Sequence, residues 1–351
     1  MIKASLLKRM ANRALTFSDQ KGEGQRATLE RRDNLLYLSA SDGNCATRIW
    51  EPDAGSNFIT VVNVYALAEL LSCFDADSSV CLSLSPERET KLLLSDLTEN
   101  YSMAVYPTLD AYHIPAPPNW LPTSAHMNSV IQRMVVWPVK GKTPTGQAPA
   151  VMFDGGNAGI VTGHLSFLET IEEEFTAQIT LMYLNKAPDT VLRYGLSGGH
   201  LFLHGENEWC MLPLDSRKLL AYKLLLDRMQ KENTCGIRIN VRNLLDIVAK
   251  IKSIRKAEGY LSPEEMNSVS TTFTQTSMTA KMSLGNVTTE VSSNGTFASV
   301  DCKPSELFFS ALGHRSFLGD SEEIEIKIGP QMSFIAAQVG TGKVLGGLYS
   351  K

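Results

Sequence analysis

No stretch of this chain is apolar for long enough to cross a membrane. The longest candidate, Leu219 to Leu226, is broken by Tyr222 and Lys223, well short of the roughly 18 residues a spanning helix needs. Basic charge is not in excess either: Lys and Arg number 33 against 37 Asp and Glu, a net charge of −4, so no global positive field draws the protein onto nucleic acid. Cysteine is scarce, and Cys45, Cys73, Cys81, Cys210, Cys235 and Cys302 lie far apart. Without a two-residue spacing there is neither a zinc knuckle nor a redox pair, and reduced, buried thiols are expected. The N-terminus is basic and holds no acid before Asp19, but it lacks the continuous apolar core of a secretory signal. The expectation is a soluble, cytoplasmic protein with no membrane partner.

Catalytic patterns are also incomplete. Gly195-Leu-Ser197-Gly-Gly199 fits a nucleophile elbow, which needs a strand-to-helix turn; the alternating His200-Leu-Phe-Leu203 that follows reads as a strand, so the glycines are expected to close a hairpin. A serine hydrolase using Ser197 is therefore the remote alternative. Gly340-Thr-Gly-Lys343 lacks the earlier glycine and the hydroxyl of a phosphate-binding loop, since Ala337 and Val344 stand there. Histidines 200 and 204 have no third ligand nearby, and Glu172 to Glu174 read as a solvated charge run. No catalytic residue, metal or cofactor is expected.

What the chain does have is a globular composition, 43% hydrophobic and 20% charged over 351 residues, enough for two or three domains. Leu6, Leu7, Met10 and Ala14 recur at helical spacing opposite Lys8, Arg9, Asn12 and Arg13. Alternating runs 27–30, 35–40 and 45–50 read as an antiparallel meander. A strand at 58–62, a helix from Val64 to Phe74 and strands at 80–84, 91–94 and 101–106 repeat the module. The last third has the same order: strand 237–240, helix 241–254, strands 269–274, 279–282 and 287–291, then strand 297–300, helix 305–312 and strands 324–328, 333–339 and 344–348. The middle, with helix 127–136 and a short helix near 181–186, is a degraded copy. A repeat this long means tandem domains. Pro115 to Pro118 and a charged helix from Arg217 to Lys231 serve as linkers, giving domains 1–118, 119–216 and 217–351.

Charge is unevenly spread. Residues 3–15 carry Lys3, Lys8, Arg9 and Arg13 with no acid, and residues 238–256 carry Arg238, Arg242, Lys250, Lys252, Arg255 and Lys256 against Asp246 alone. These two segments hold +9 and the remainder −13. They are either solvated faces that happen to be basic, or a surface for phosphates that reads no bases.

Three segments resemble the bacterial beta sliding clamp family, the processivity factors of replicative DNA polymerase III: Leu36-Tyr-Leu-Ser-Ala-Ser-Asp42, Tyr101-Ser-Met-Ala-Val-Tyr-Pro107 and Arg242-Asn-Leu-Leu-Asp246. The chain is identified as a divergent member. The resemblance implies an α+β fold of three tandem clamp-like domains, each with two helices packed on antiparallel sheets, closing as a homodimer into a ring that encircles duplex DNA. Its partners would then be duplex DNA without sequence specificity, DNA polymerase, the clamp loader and other clamp-motif proteins, in a cytoplasmic, nucleoid-associated setting. It places DNA contacts at Arg9, Arg13, Arg133, Arg242 and Lys250 on helices and at Arg26, Lys140, Lys142 and Gln147 in loops. It places a partner-peptide pocket at Thr162, His164, Leu165, Pro213, Leu345 and Leu348, and a dimer interface at Tyr101, Met103 and Ile254. The family's Met-Pro-rich ending is replaced by Gly346-Gly-Leu-Tyr-Ser-Lys351, and the arginine of the Thr162-Gly-His-Leu165 turn is missing. A clamp-fold decoy or regulator that binds replication partners without encircling DNA is the alternative.

Overall fold

The computed structural model describes residues 1–18, 25–86, 90–108, 111, 114, 119–136, 148–161, 165–216, 235–258, 268–328, 334–339 and 342–347. After a short strand β1 (Ile2–Lys3), helix α1 (Ala4–Leu15) turns Ala4, Leu7, Met10, Ala11 and Ala14 into the core, the stripe expected of an amphipathic helix. Strands β2 (Arg26–Arg32), β3 (Leu35–Ser41) and β4 (Ala46–Pro52) follow. Asp33 and Asn34, both at positive φ, form the two-residue loop between β2 and β3, whose twist suits a tight hairpin. Strand β5 (Phe58–Asn63) leads into α2 (Val64–Leu71), where Asn63 Oδ1 caps the first turn by accepting from the Ala66 N–H at 3.0 Å. Then come β6 (Ser79–Leu84), β7 (Lys91–Ser95) and β8 (Asn100–Ala104).

The plan recurs. A short β9 (Leu121–Pro122) precedes α3 (Ala125–Val135), capped by Ser124, and β10 (Ala150–Asp154), β11 (Asn157–Val161) and β12 (Leu165–Thr170). Next stand β13 (Thr176–Thr180), a one-turn α4 (Leu181–Leu184), β14 (Arg193–Ser197), β15 (His200–His204) and β16 (Glu208–Pro213). The last repeat has β17 (Cys235–Asn240), α5 (Val241–Glu258), β18 (Ser270–Phe273), β19 (Ser277–Met282) and β20 (Gly285–Glu290). It ends with β21 (Ser292–Ser293), β22 (Val300–Cys302), α6 (Glu306–Leu312), α7 (Arg315–Leu318), β23 (Glu323–Ile328), β24 (Phe334–Val339) and β25 (Gly342–Gly347).

Each repeat is two halves of strand, helix and three strands, and the halves exchange their opening strands. In the first, β5 pairs with β2 while β1 pairs with β6; in the second, β13 pairs with β10 and β9 with β14; in the third, β22 pairs with β18 and β17 with β23. Sheets are then joined by one rule. The last strand of a repeat's first half pairs with the last strand of the next repeat's second half: β4 with β16, and β12 with β25. The results are an eight-stranded sheet β5-β2-β3-β4-β16-β15-β14-β9, a nine-stranded sheet β13-β10-β11-β12-β25-β24-β23-β17-β21, and four-stranded sheets β1-β6-β7-β8 and β20-β19-β18-β22. Among the described residues, β20 and β8 are the half-ending strands that this rule leaves unjoined, each at one end of a four-stranded sheet.

By compactness the chain forms two units, Met1–Thr123 with Tyr183–Leu214, and Ser124–Met182 with Asp215–Lys351. In the first, Leu7 and Met10 of α1 and Leu67 and Leu71 of α2 are fully buried with Leu36 and Leu38 of β3. Replacing such a side chain with alanine costs about 2–5 kcal/mol. In the second, α3 buries Met127, Val130, Ile131 and Met134, and α5 buries Leu244, Ile247, Val248 and Ile251.

Several expectations need correction. Phe297 lies outside any strand: Ser292 and Ser293 pair with β17, the chain then turns at Gly295, and pairing with β18 begins only at Val300. The strand expected at 190–194 starts at Arg193, and β13 and α7 were not foreseen. Cys45 and Cys210 are buried, but Cys73, in the turn after α2, and Cys81, at a solvent-side position of β6, are exposed. The linkers 115–118 and 217–231 lie outside the described residues. Among the described residues no helix is long and apolar enough to cross a membrane.

Candidate nucleic-acid interface and partner surfaces

Burying one stripe of α1 leaves Ser5, Arg9 and Asn12 in solvent, with Lys8 and Arg13 half-exposed. Together with Ser72 and Phe74 after α2 these residues line an open groove of about 560 Å³. Its cations are not all free. The Arg9 guanidinium pairs with Glu51, a carboxylate on β4 that also accepts from Asn207 Nδ2 at 3.3 Å. Arg13 is held more firmly: Nε donates to Glu208 at 2.6 Å, Nη2 donates to the Lys186 carbonyl at 2.7 Å, and Cζ stands 5.0 Å from the Phe17 ring. Arg26, the first residue of β2, lies over the Tyr106 ring at 4.1 Å.

On α3 the basic residue is Arg133, and its side chain is only 12% exposed. It donates to the fully buried Glu169 at 2.9 Å and stacks near Phe167, while His126 approaches the same carboxylate at 3.3 Å. This pair sits in a low-dielectric setting, where its geometry decides local stability. Helix α5 is different. Arg242, Lys250, Lys252 and Lys256 are exposed, and Asp246, which binds Lys250 Nζ at 2.6 Å, is the acid interleaved with them. The exposed i, i+4 pair has little hold on Lys250. Arg255, by contrast, is tied to Glu258 at 2.8 Å and to the Ser268 carbonyl.

The outer strands have their own character. Tyr101 on β8 packs edge-on against Phe74 at 5.2 Å and donates its hydroxyl to Glu99 at 3.1 Å, which holds the phenol above its usual pKa; Met103 is buried. The hairpin before β8 is fastened by Asp96, whose carboxylate accepts from the Thr98 and Glu99 N–H groups and is thereby lowered to about 2. Half-buried Ile254 shares a shallow groove of about 510 Å³ with Ala249, Lys250 and Ser253 of α5 and Asn286, Val287 and Thr288 of β20. A strand was expected at 287–291, and β20 runs Gly285–Glu290; its place beside Ile254 was not foreseen, because the mixed Gly285-Asn-Val-Thr-Thr-Glu290 gives no apolar signal of an interface.

Leu165 opens β12 as a fully buried residue paired with Gly346; Leu345 lies opposite Ser166 in the same ladder; Pro213 ends β16, half-buried. Thr162, His164, Leu348, Lys140, Lys142 and Gln147 lie outside the described residues. Ser197 pairs with His200 across Gly198 and Gly199, both at positive φ. That is a two-residue hairpin loop between strands, as expected, and not an elbow into a helix. Among the described residues no cluster of His, Cys, Asp and Glu could hold a metal.

No family model matches this sequence, and neither does any curated protein. Solved structures do match, over the whole chain. The Helicobacter pylori beta clamp bound to a DNA ligase peptide aligns with a TM-score of 0.77 at 11% identity, covering 99% of each chain. The DNA polymerase III subunit beta of Pseudomonas aeruginosa gives 0.77 at 12%, covering 100% of this chain and 99% of the other. The beta subunit of Thermotoga maritima gives 0.72 at 15%, covering 100% and 98%. The chain therefore has the α+β fold of the bacterial sliding clamps, with three tandem repeats of one topology.

Proposed function

We propose that this chain is a DNA sliding clamp, a homodimeric ring that encircles duplex DNA and tethers the replicative polymerase without performing chemistry. One observation carries the reading. The rule that joins β4 to β16 and β12 to β25 leaves β20 and β8 unjoined, and the next application of that rule pairs β20 of one chain with β8 of another. Such a contact is head to tail, and two of them close a dimer. An outer strand is otherwise a liability that folds protect. Tyr101, Met103 and Ile254 belong to or adjoin these two edges, which supports their assignment to the interface, and the repeats would span 1–118, 119–216 and 217–351.

Topological linkage does not require tight DNA binding. Exposed Arg242 and Lys250, with Arg9, are the phosphate contacts the surface supports best; Arg13 and Arg133 serve their carboxylates first. Arg26, which the structure puts at the start of β2 and not in a loop, is assigned to DNA contact with Lys140, Lys142 and Gln147. Thr162, His164, Leu165, Pro213, Leu345 and Leu348 are assigned to a pocket for short peptides of the polymerase, the clamp loader and other clients, by analogy with the H. pylori clamp that binds a ligase peptide. Such a protein works in the cytoplasm, on the nucleoid.

Pairing of Arg9, Arg13 and Arg133 with Glu51, Glu208 and Glu169 favours a second reading, a clamp-fold regulator that binds partners without encircling DNA. Light scattering at micromolar concentration tests the ring. Twice the chain mass is expected; monomer alone contradicts the clamp and leaves the regulator. Hydrolysis of an ester probe that disappears in Ser197→Ala would overturn both.

A further inference from the structure

The turn between β3 and β4 brings three reactive side chains together within the first unit. Lys186 Nζ lies 2.8 Å from Cys45 Sγ and 3.1 Å from Asp42 Oδ2, and Cys45 Sγ lies 3.1 Å from that same oxygen. Cys45 is fully buried, whereas Lys186 and Asp42 are each about one-fifth exposed, so small oxidants reach the cluster from the lysine side. The two residues are 141 positions apart, and Lys186 is anchored independently, its carbonyl accepting from Arg13. The DNA and partner surfaces do not use this cluster.

We propose that Cys45 and Lys186 are an oxidative modification site, at which peroxide inserts one oxygen atom between Sγ and Nζ to give a reversible covalent S–O–N bridge. The first step is ordinary thiol chemistry: one hydrogen peroxide oxidises the Cys45 thiol to a sulfenic acid and is reduced to one water. Although burial opposes it, hydrogen bonds to Cys45 and Asp42 hold Lys186 above its usual pKa, so the amine is the scarce form, and the ammonium gives up its extra proton to solvent at its exposed side. The sulfenic oxygen then bonds to Nζ, losing the hydrogen of S–O–H and one hydrogen of the amine, and a second peroxide accepts those two hydrogens with their electrons and becomes two waters. Thiol, amine and two peroxides thus give the bridge and three waters. An oxygen fits between atoms already this close, whereas a direct S–N bond requires them to approach much further. Burial pushes the Cys45 thiol up to about 11, with Lys186 opposing the rise, so the thiol is a slow nucleophile at neutral pH. Slow attack at sulfur leaves the cluster reduced until peroxide is abundant. The bridge ties the β3–β4 turn to the 183–187 segment on which Arg13 also rests.

Intact and peptide mass spectrometry of the full chain after exposure to millimolar hydrogen peroxide tests this. The expected product is a cross-linked pair of peptides containing Cys45 and Lys186, about 14 Da heavier than their sum and restored by dithiothreitol. Cys45→Ser and Lys186→Arg each abolish it, and in Lys186→Arg oxidation stops at Cys45 alone. In the unmutated chain, Cys45 recovered as sulfinic acid with Lys186 unmodified overturns the proposal. So does Cys45 left unoxidised while exposed Cys73 and Cys81 react, or a cross-link about 2 Da lighter than the sum, which is the direct S–N bond.

Discussion

Arg133 and Arg242 carry the same charge on the opening helices of two repeats, but one is paired and mostly buried and the other is exposed. Arg133 faces a carboxylate with no solvent access, so Arg133→Ala takes the guanidinium away from Glu169 while that carboxylate stays buried. A loss of about 3 kcal/mol is expected, read as a lowered midpoint in urea, with DNA affinity of the folded protein unchanged. Arg242→Ala removes an exposed side chain from α5. Stability is expected to stay within about 0.5 kcal/mol, while the slope of log affinity for duplex against log salt falls by about 1, measured by fluorescence anisotropy. Asp96 supplies a pH signature. Its folded pKa is lowered to about 2, so its contribution is present above the unfolded value of about 3.9 and is lost as pH falls through that window. Asp96→Asn should flatten the melting temperature between about pH 4 and 2; an unchanged acid limb would count against the turn. At this scale the sequence told which helices are basic and not which cations are free. Glu51, Glu169 and Glu208 stand 42, 36 and 195 positions from their arginines, and no local periodicity exposes such partners.

At the scale of elements, helices were legible wherever a stripe of apolar residues met a polar face, as in α1, α2, α3 and α5, because burial of that stripe is what makes the helix. Strands with alternation were equally clear. Those missed were of two kinds: short strands held by their neighbours, such as β1 and β9, and β13, where Thr176-Ala-Gln-Ile-Thr180 follows a charged run and its pairing with β10 outweighs weak propensity. Phe297 shows the opposite error, an apolar residue expected to open the strand at 297–300, where pairing begins only at Val300. Edge strands are the hardest to read, since nothing local marks a strand as unjoined. Ile254, in the groove beside β20, tests the edge: Ile254→Asp is expected to convert a dimer to monomer in sedimentation velocity with little change in melting temperature. A dimer that persists would remove this edge from the interface.

For the molecule as a whole, order along the chain revealed repetition, while the joining of sheets remained hidden until β4 met β16 and β12 met β25. Those ladders link residues more than 150 positions apart and depend on which edge each repeat leaves open. Repetition with a consistent joining rule is what the proposed closure through a second copy rests on. The most direct measurement of that claim compares retention of the protein, once loaded, on a nicked circular plasmid and on the same plasmid cut once, at salt that strips non-specific binders. A ring stays on the circle and is lost from the linear form through its ends; equal loss from both would contradict an encircling clamp.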